Sequence, residues 1–298
     1  MTHVLTLIAN PAEGLDETVI GQAKDALPVA GEPNWLSPSE ACDVSFAPGD
    51  GSPSAHLQDT VRSAIGDIPV DIVIQPSQNR RKRLLVADMD STLIGQECID
   101  ELADFAGLKP KIAEITERAM RGELEFEPAL RERVALLIGL DESVLDIVFN
   151  DHISLNAGAR ILARTMSSGG ATTVIVSGGF TYFTCRVAEA AGFQRDQANI
   201  LEISEGKLTG RVTEPILGQQ AKLDALCHHR ETLGLSAAQT LAVGDGANDL
   251  AMLQEAGLGI AYHAKPIVAE KAHARIEYCD LTALLFAQGY SREEFVED

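Results

Sequence analysis

Two aspartates one residue apart, Asp88 and Asp90, close the apolar run Leu84 to Ala87 in the stretch RKRLLVADMDSTLIG. An Asp-x-Asp pair alone also caps helices and fills turns. At the end of a strand leaving a core, however, two carboxylates repel each other and resist desolvation unless a cation sits beside them. A hard, oxygen-seeking ion such as Mg2+ is therefore expected there. Side chains alternate along an extended chain, so Asp88 and Asp90 can face one crevice while Met89 would turn into packing.

Two further runs end in polar residues of complementary chemistry. VIVSGGF, residues 174–180, offers the hydroxyl of Ser177 and, at Gly178 and Gly179, a backbone free to approach an anion. Taken alone, the same triplet reads as a turn. LAVGDGANDLAML, residues 241–253, sets Asp245, Asn248 and Asp249 in a glycine-containing loop that runs into a helix, where either aspartate also serves as a cap. Lys222, in LGQQAKLDALCHH, is a solvated surface lysine unless it points into the crevice. There it would supply the positive charge that a phosphoryl group and an acceptor carboxylate require.

These residues need a frame that brings strand ends together. From residue 80 onward, apolar strand-like runs alternate with longer helix-like segments, the pattern of an α/β fold whose Rossmann-like parallel sheet carries helices on both faces. Ligands in such sheets bind beyond the carboxyl ends of the strands, so the three polar ends are expected at one crevice. Roughly 80 residues separate the first two of these strands, more than one crossover helix needs. Helical spacing within them, as at Leu130, Val134 and Leu137, predicts an inserted helical cap at about 96–155.

Residues 1–79 read as a separate small α+β domain, and 80–298 as the catalytic domain with its cap. QPSQNRRKR forms the linker, and a Pro/Gly/Ser-rich stretch from Pro28 to Pro53 interrupts the expected strands. The net charge of -20 opposes binding to nucleic acid and to anionic membranes. No apolar run reaches bilayer length, the N-terminus lacks the features of a secretory signal, and the five cysteines are scattered without a CxxC pair. A cytoplasmic protein acting on a small molecule is the expectation.

The order of the signals, strand then DxDST, strand then SGG, lysine, strand then GDGxND, resembles the haloacid dehalogenase (HAD) superfamily of aspartate-nucleophile phosphatases over about residues 82–285. Within it, DMDSTLIGQECIDELADFAG, RAMRGELEFEPALRERVALLIGL and IVSGGFTYF resemble the phosphoserine phosphatase family. The resemblance implies Mg2+-dependent hydrolysis of O-phospho-L-serine through an aspartyl-phosphate, the last step of serine biosynthesis. It implies Asp88 as nucleophile and Asp90 as proton donor and acceptor. The metal would be held by Asp88, the Asp90 carbonyl and Asp245, with Asp249 and Asn248 in support. Ser177, Gly178 and Lys222 would bind the phosphoryl group, Glu97 and Arg133 the substrate's ammonium and carboxylate, and Met120 and Phe126 would close the cap. Read without the resemblance, Glu97 is a surface acid, Arg133 a salt-bridged helix residue, and Met120 and Phe126 ordinary cap core. The first 79 residues resemble ACT-like regulatory units, which implies amino-acid sensing or a homodimer. A purely structural appendage is the alternative.

Overall fold

The computed structural model describes residues 1–49, 54–120 and 124–297, with the side chains at 54, 55, 113, 117, 119 and 120 outside that description. The N-terminal region runs β1 (His3–Ala9), α1 (Glu17–Asp25), β2 (Ala30–Ser37), β3 (Ala41–Phe46), α2 (Ser54–Ile65) and β4 (Val70–Pro76). Asp16 starts α1 by accepting a hydrogen bond from the Val19 amide at 2.9 Å, a standard side-chain cap. The four strands pair antiparallel in the order β2-β3-β1-β4.

The element order is thus a regular βαββαβ, and the expectation that the Pro/Gly/Ser-rich stretch breaks it is corrected. Pro33 and its neighbours form β2, which is an edge strand with register shifts between Ala30 and Pro33 and between Trp35 and Ser37. An edge strand need not donate every amide, and bulges absorb the residue that cannot. The segment read as a linker is also tied down. The Arg80 guanidinium donates to Asp43 at 2.5 Å and to the Ala287 carbonyl at 2.9 Å, and Lys82 Nζ donates to the Ala238 carbonyl at 2.9 Å. From β4, Asp71 accepts from the amides of Glu277 (2.7 Å) and Cys279 (3.0 Å), so the antiparallel sheet is fastened to the rest of the chain by buried polar contacts.

The remaining strands, in chain order, are β5 (Leu84–Ala87), β6 (Thr172–Phe180), β7 (Arg195–Asn199), the hairpin β8 (Leu201–Ser204) and β9 (Lys207–Val212), β10 (Thr240–Gly244), β11 (Leu258–Tyr262) and β12 (Ala274–Ile276). Six of them form a parallel sheet in the order β12-β11-β10-β5-β6-β7. Every residue of β5 and β10 is buried, which explains why these strands read as continuous apolar runs rather than as alternating ones. Leu85, Ala87 and Val243 pack into the core on one face, and Leu84, Val86 and Ala242 into that on the other.

Between β5 and β6 lie four cap helices, α3 (Cys98–Phe105), α4 (Lys109–Met120), α5 (Phe126–Ala135) and α6 (Ser143–His152), followed by α7 (Ala159–Ser168). Core helices α8 (Thr181–Ala191), α9 (Gln219–Thr232) and α10 (Leu250–Glu255) flank the sheet. An isolated bridge between Ile94 and Leu155 joins the chain on either side of α3–α6. The β8–β9 hairpin, which the sequence did not reveal, is hydrogen-bonded to the turn between α5 and α6. The Gly139 amide donates to the Leu208 carbonyl at 2.8 Å and the Leu208 amide to the Leu140 carbonyl at 2.9 Å.

Candidate active site

Strands β5, β6 and β10 are neighbours, and each ends at one crevice. Asp88 follows β5 directly, buried, its amide donating to the Val243 carbonyl of β10 at 3.0 Å. Asp88 Oδ1 accepts from the Met89 amide at 2.8 Å and lies 2.7 Å from Lys222 Nζ. No described residue donates to its other oxygen, Oδ2. Met89 is fully buried in the core, as the alternation of side chains requires.

Lys222 sits in the first turn of α9 and is 1% exposed, so the surface reading fails. Its ammonium bridges Asp88 Oδ1 and Asp249 Oδ1, both at 2.7 Å. Burial alone would pull the lysine pKa down, but the carboxylates of Asp249 and Asp88 outweigh it and the net shift is upward. Asp249 is wholly buried, and its second oxygen accepts from the Gly246 amide at 3.0 Å. Both of its oxygens are therefore committed to holding the lysine and the GDGAND loop. Asn248 is half-buried in the same loop, its side chain folded over Gly246.

Asp90 takes a different direction from Asp88. Its Oδ1 accepts from the Cys98 amide at 3.0 Å, and Oδ2 from Ser177 Oγ at 3.3 Å. Ser177 is buried and its oxygen also accepts from the Gly179 amide at 2.8 Å, so the SGG turn and the DxD turn hold each other. Burial raises the carboxyl pKa of Asp90, and that of Asp88 rises well above the usual range through burial and the neighbouring Asp249 charge. Asp245, half-buried at the end of β10, is raised by burial and by Asp249; Thr92 Oγ1 donates to it at 3.4 Å.

Asp88, Asp245 and Asp249 each offer a carboxylate oxygen, and the three lie within 4.8 Å of one another. Three carboxylates against the single charge of Lys222 leave the cluster short of positive charge, and all the donors are hard oxygens, so a divalent cation fits the set. The side chain of Asp90 is not in this cluster. Asp249 is, where the sequence reading gave it only a supporting place.

The cap supplies the opposite wall. Phe126, at the start of α5, lies so close to Gly178 that a Cβ there would fall 2.9 Å from the ring; at Gly218 the distance would be 3.0 Å. Only glycine leaves room for the ring at these two positions, which ties the SGG sequence to the cap. Arg133, also on α5, is half-buried and donates to the Ala129 carbonyl of its own helix at 3.2 Å, with no ion pair among the described residues. Burial lowers its pKa, while Asp100, Glu97 and Asp90 oppose that shift. Glu97 stands at the N-terminal end of α3, open to solvent, and accepts from Ser91 Oγ at 2.7 Å. Its pKa is raised to about 7 by the protein atoms around it and by the Asp90 charge. Met120 closes α4, and its side chain lies outside the described residues.

Three contributors escaped the sequence reading. Thr92 holds Asp245. Asn156, from the returning cap stem, donates to the Thr92 carbonyl at 2.8 Å. Asn199 closes β7, donating to the carbonyls of Gly178 (2.9 Å) and Leu217 (3.1 Å) and accepting from the Leu217 amide at 2.7 Å. The last had a signal of the kind that revealed Asp88, a polar residue at the end of a strand.

The chain matches the model of the haloacid dehalogenase-like hydrolase family over residues 85–254. It is 46% identical over 235 residues to a phosphoserine phosphatase from Streptomyces coelicolor, an alignment covering 79% of this chain and 57% of that longer protein. Among solved structures it is similar to an unliganded probable phosphoserine phosphatase from Vibrio cholerae, with a TM-score of 0.77, 31% identity, and coverage of 98% of this chain and 88% of that one. It is also similar to a phosphoserine phosphatase solved as a phospho-aspartyl intermediate analogue, with a TM-score of 0.64, 40% identity, and coverage of 69% and 98%.

Proposed function

The chain belongs to the haloacid dehalogenase-like hydrolase family, and from that premise we propose that it is a phosphoserine phosphatase that hydrolyses O-phospho-L-serine to serine and phosphate through an aspartyl-phosphate. The observation that carries the reading is the Asp88–Lys222–Asp249 arrangement. A buried carboxylate is held by one oxygen at 2.7 Å from an ammonium, while its other oxygen has no donor among the described residues. An oriented but unshielded carboxylate oxygen is what a nucleophile needs.

In the first half-reaction Asp88 Oδ2 forms a bond to phosphorus as the bond from phosphorus to the serine oxygen breaks. The proton on Asp90 passes to that leaving oxygen. In the second, water attacks phosphorus, its proton returns to Asp90, and the bond from phosphorus to Asp88 breaks to release phosphate. The raised pKa of Asp90 supports its holding a proton before the first step. Lys222, Ser177 and the Gly178 amide stabilise the phosphoryl oxygens, and positioned charge is the main source of catalysis in such transfers. Mg2+, held by Asp88, Asp245 and the Asp90 carbonyl with Asp249 and Asn248 in support, would neutralise the phosphoryl charge that otherwise repels Asp88.

Glu97 and Arg133 suit a zwitterionic amino acid, one acid for the ammonium and one guanidinium for the carboxylate. Phe126 and Met120 close the cap over the bound ester. The same proposal covers the division at residue 79 into an ACT-like unit, which could support a homodimer, and a catalytic unit. It also covers a cytoplasmic role in the last step of serine biosynthesis. No described helix is long and apolar enough to cross a membrane. The test is phosphate release across a panel of phosphorylated amino acids and sugars, with Mg2+ or with EDTA. Phosphoserine should be preferred and chelation should abolish turnover; equal rates across the panel, or activity surviving chelation, would refute the assignment.

A further inference from the structure

Glu97 occupies the position just before α3, where an acidic side chain ordinarily turns back to accept from the first free helix amides. It does not do so here. The first amide of the helix, that of Cys98, is taken by Asp90 Oδ1 at 3.0 Å, and the Glu97 carboxylate is left free of the cap, near enough to Asp90 and Asp245 to feel their charges. What holds it is Ser91. The Ser91 hydroxyl donates to Glu97 Oε1 at 2.7 Å, and the Ser91 amide donates to the Gln96 carbonyl at 3.3 Å. Ser91 does this from a left-handed backbone, φ 56°, a conformation that costs a non-glycine residue of order 1 kcal/mol and that the surrounding turn must impose.

Gln96, which directly precedes Glu97, is pinned from the other side. Gln96 Oε1 accepts from the Ser154 amide and Gln96 Nε2 donates to Ser154 Oγ, both at 3.1 Å, beside the Ile94–Leu155 bridge that joins the two cap stems. The backbone before Glu97 is therefore fixed by the stem, and one hydroxyl selects the direction of its carboxylate. Asp90 lies on the same turn as Ser91, so that direction is fixed relative to the reacting group.

We propose that Ser91 is a positioning residue for substrate selection: its hydroxyl aims the Glu97 carboxylate at the amine end of the phosphate ester. This rests on the reading of Glu97 given above. Ser91 acts through Glu97, and the prediction concerns discrimination rather than the chemical step.

The test compares kcat/KM for O-phospho-L-serine with that for its desamino analogue, 3-phosphooxypropanoate, in the parent, Ser91→Ala, Ser91→Gly, Glu97→Gln and the Ser91→Ala/Glu97→Gln double variant. Ser91→Ala should lower the preference for phosphoserine roughly fivefold to tenfold, the worth of one charge-assisted hydrogen bond at a partly solvated site. Activity on the desamino analogue should be nearly unchanged, which also verifies folding. In the Glu97→Gln background the same change should have no further effect. Ser91→Gly, which relieves the left-handed strain, should behave like Ser91→Ala. Retained preference in Ser91→Ala, an equal loss on both substrates, or full recovery in Ser91→Gly would each overturn the proposal. If Glu97→Gln itself leaves the preference intact, the reading of Glu97 fails instead, and the positioning role falls with it.

Discussion

The floor of the crevice and its cap wall are built on opposite principles. On the floor, Asp88, Lys222, Asp249 and Ser177 are buried, and each side chain is held through at least one polar atom by a neighbour from a different part of the chain. On the cap wall, Glu97 is exposed and Arg133 half-buried, and among the described residues each hydrogen-bonds a near neighbour in sequence, Glu97 with Ser91 and Arg133 with the Ala129 carbonyl. The difference suits the two regions to the tasks proposed for them. Bond making and breaking needs charges that do not reorganise, which a packed, buried floor would provide. Selecting and releasing a zwitterion needs groups that exchange partners, which the more solvated side chains of the inserted helices would provide.

The strongest way to break this contrast is at Lys222. Lys222→Met removes the one positive charge between two buried carboxylates, leaving an uncompensated pair. The expected loss is about 100-fold or more in kcat with a lowered Tm, since removing one partner of a buried ion pair costs roughly 3–5 kcal/mol. A variant retaining most of its kcat would show that the floor is not preorganised by this lysine. Arg133→Ala probes the other wall. KM for phosphoserine should rise about 10- to 100-fold, with a smaller change in kcat and little effect on a phosphate ester lacking a carboxylate. An equal loss on both esters would place Arg133 in the chemical step and erase the division.

The smallest effect is a control for burial itself. Lys82 is buried like Lys222 but donates to the Ala238 carbonyl, with no carboxylate partner among the described residues, and burial lowers its pKa to about 8. An unfolded lysine titrates near 10.5, so between pH 8 and 10.5 the unfolded chain binds more protons and this residue's contribution to stability rises with pH. Below pH 8 the charged amine is a cost. The Tm of Lys82→Met relative to the parent should therefore be most favourable near pH 7 and fall toward pH 10. A difference that does not change with pH would mean that burial does not disfavour the charge there.

The parts of the site legible in the sequence were those where burial forces an unusual pattern. Continuous apolar runs ending in Asp88, Ser177 and Asp245 announced a parallel sheet and its crevice, because a strand buried on both faces has no polar residue until it emerges. Lys222 carried no such mark. Its burial depends on Asp88 and Asp249, which lie 134 and 27 positions away in sequence, and only the fold brings them together. The βαββαβ order of the N-terminal region was obscured by Pro33, which signals a break in a central strand but is harmless on the edge strand β2. The β8–β9 hairpin was missed for a related reason: its strands are short and half exposed, so their alternation is weak. Met120 and Phe126 illustrate the limit of pattern reading, since cap core and substrate lid use the same apolar residues. Phe126 packs against Gly178, Gly218 and the hydrophobic core alike, which is compatible with both uses.

The central claim, that Asp88 is phosphorylated during turnover, is tested by acid-quenching the enzyme during hydrolysis of phosphoserine carrying a labelled phosphoryl group and mapping the label. One base-labile phosphoryl group is expected on the peptide containing Asp88, absent in Asp88→Asn, which should also lose at least about 1,000-fold in kcat. A label on another residue, or an Asp88→Asn variant that turns over at the parent rate, would contradict it.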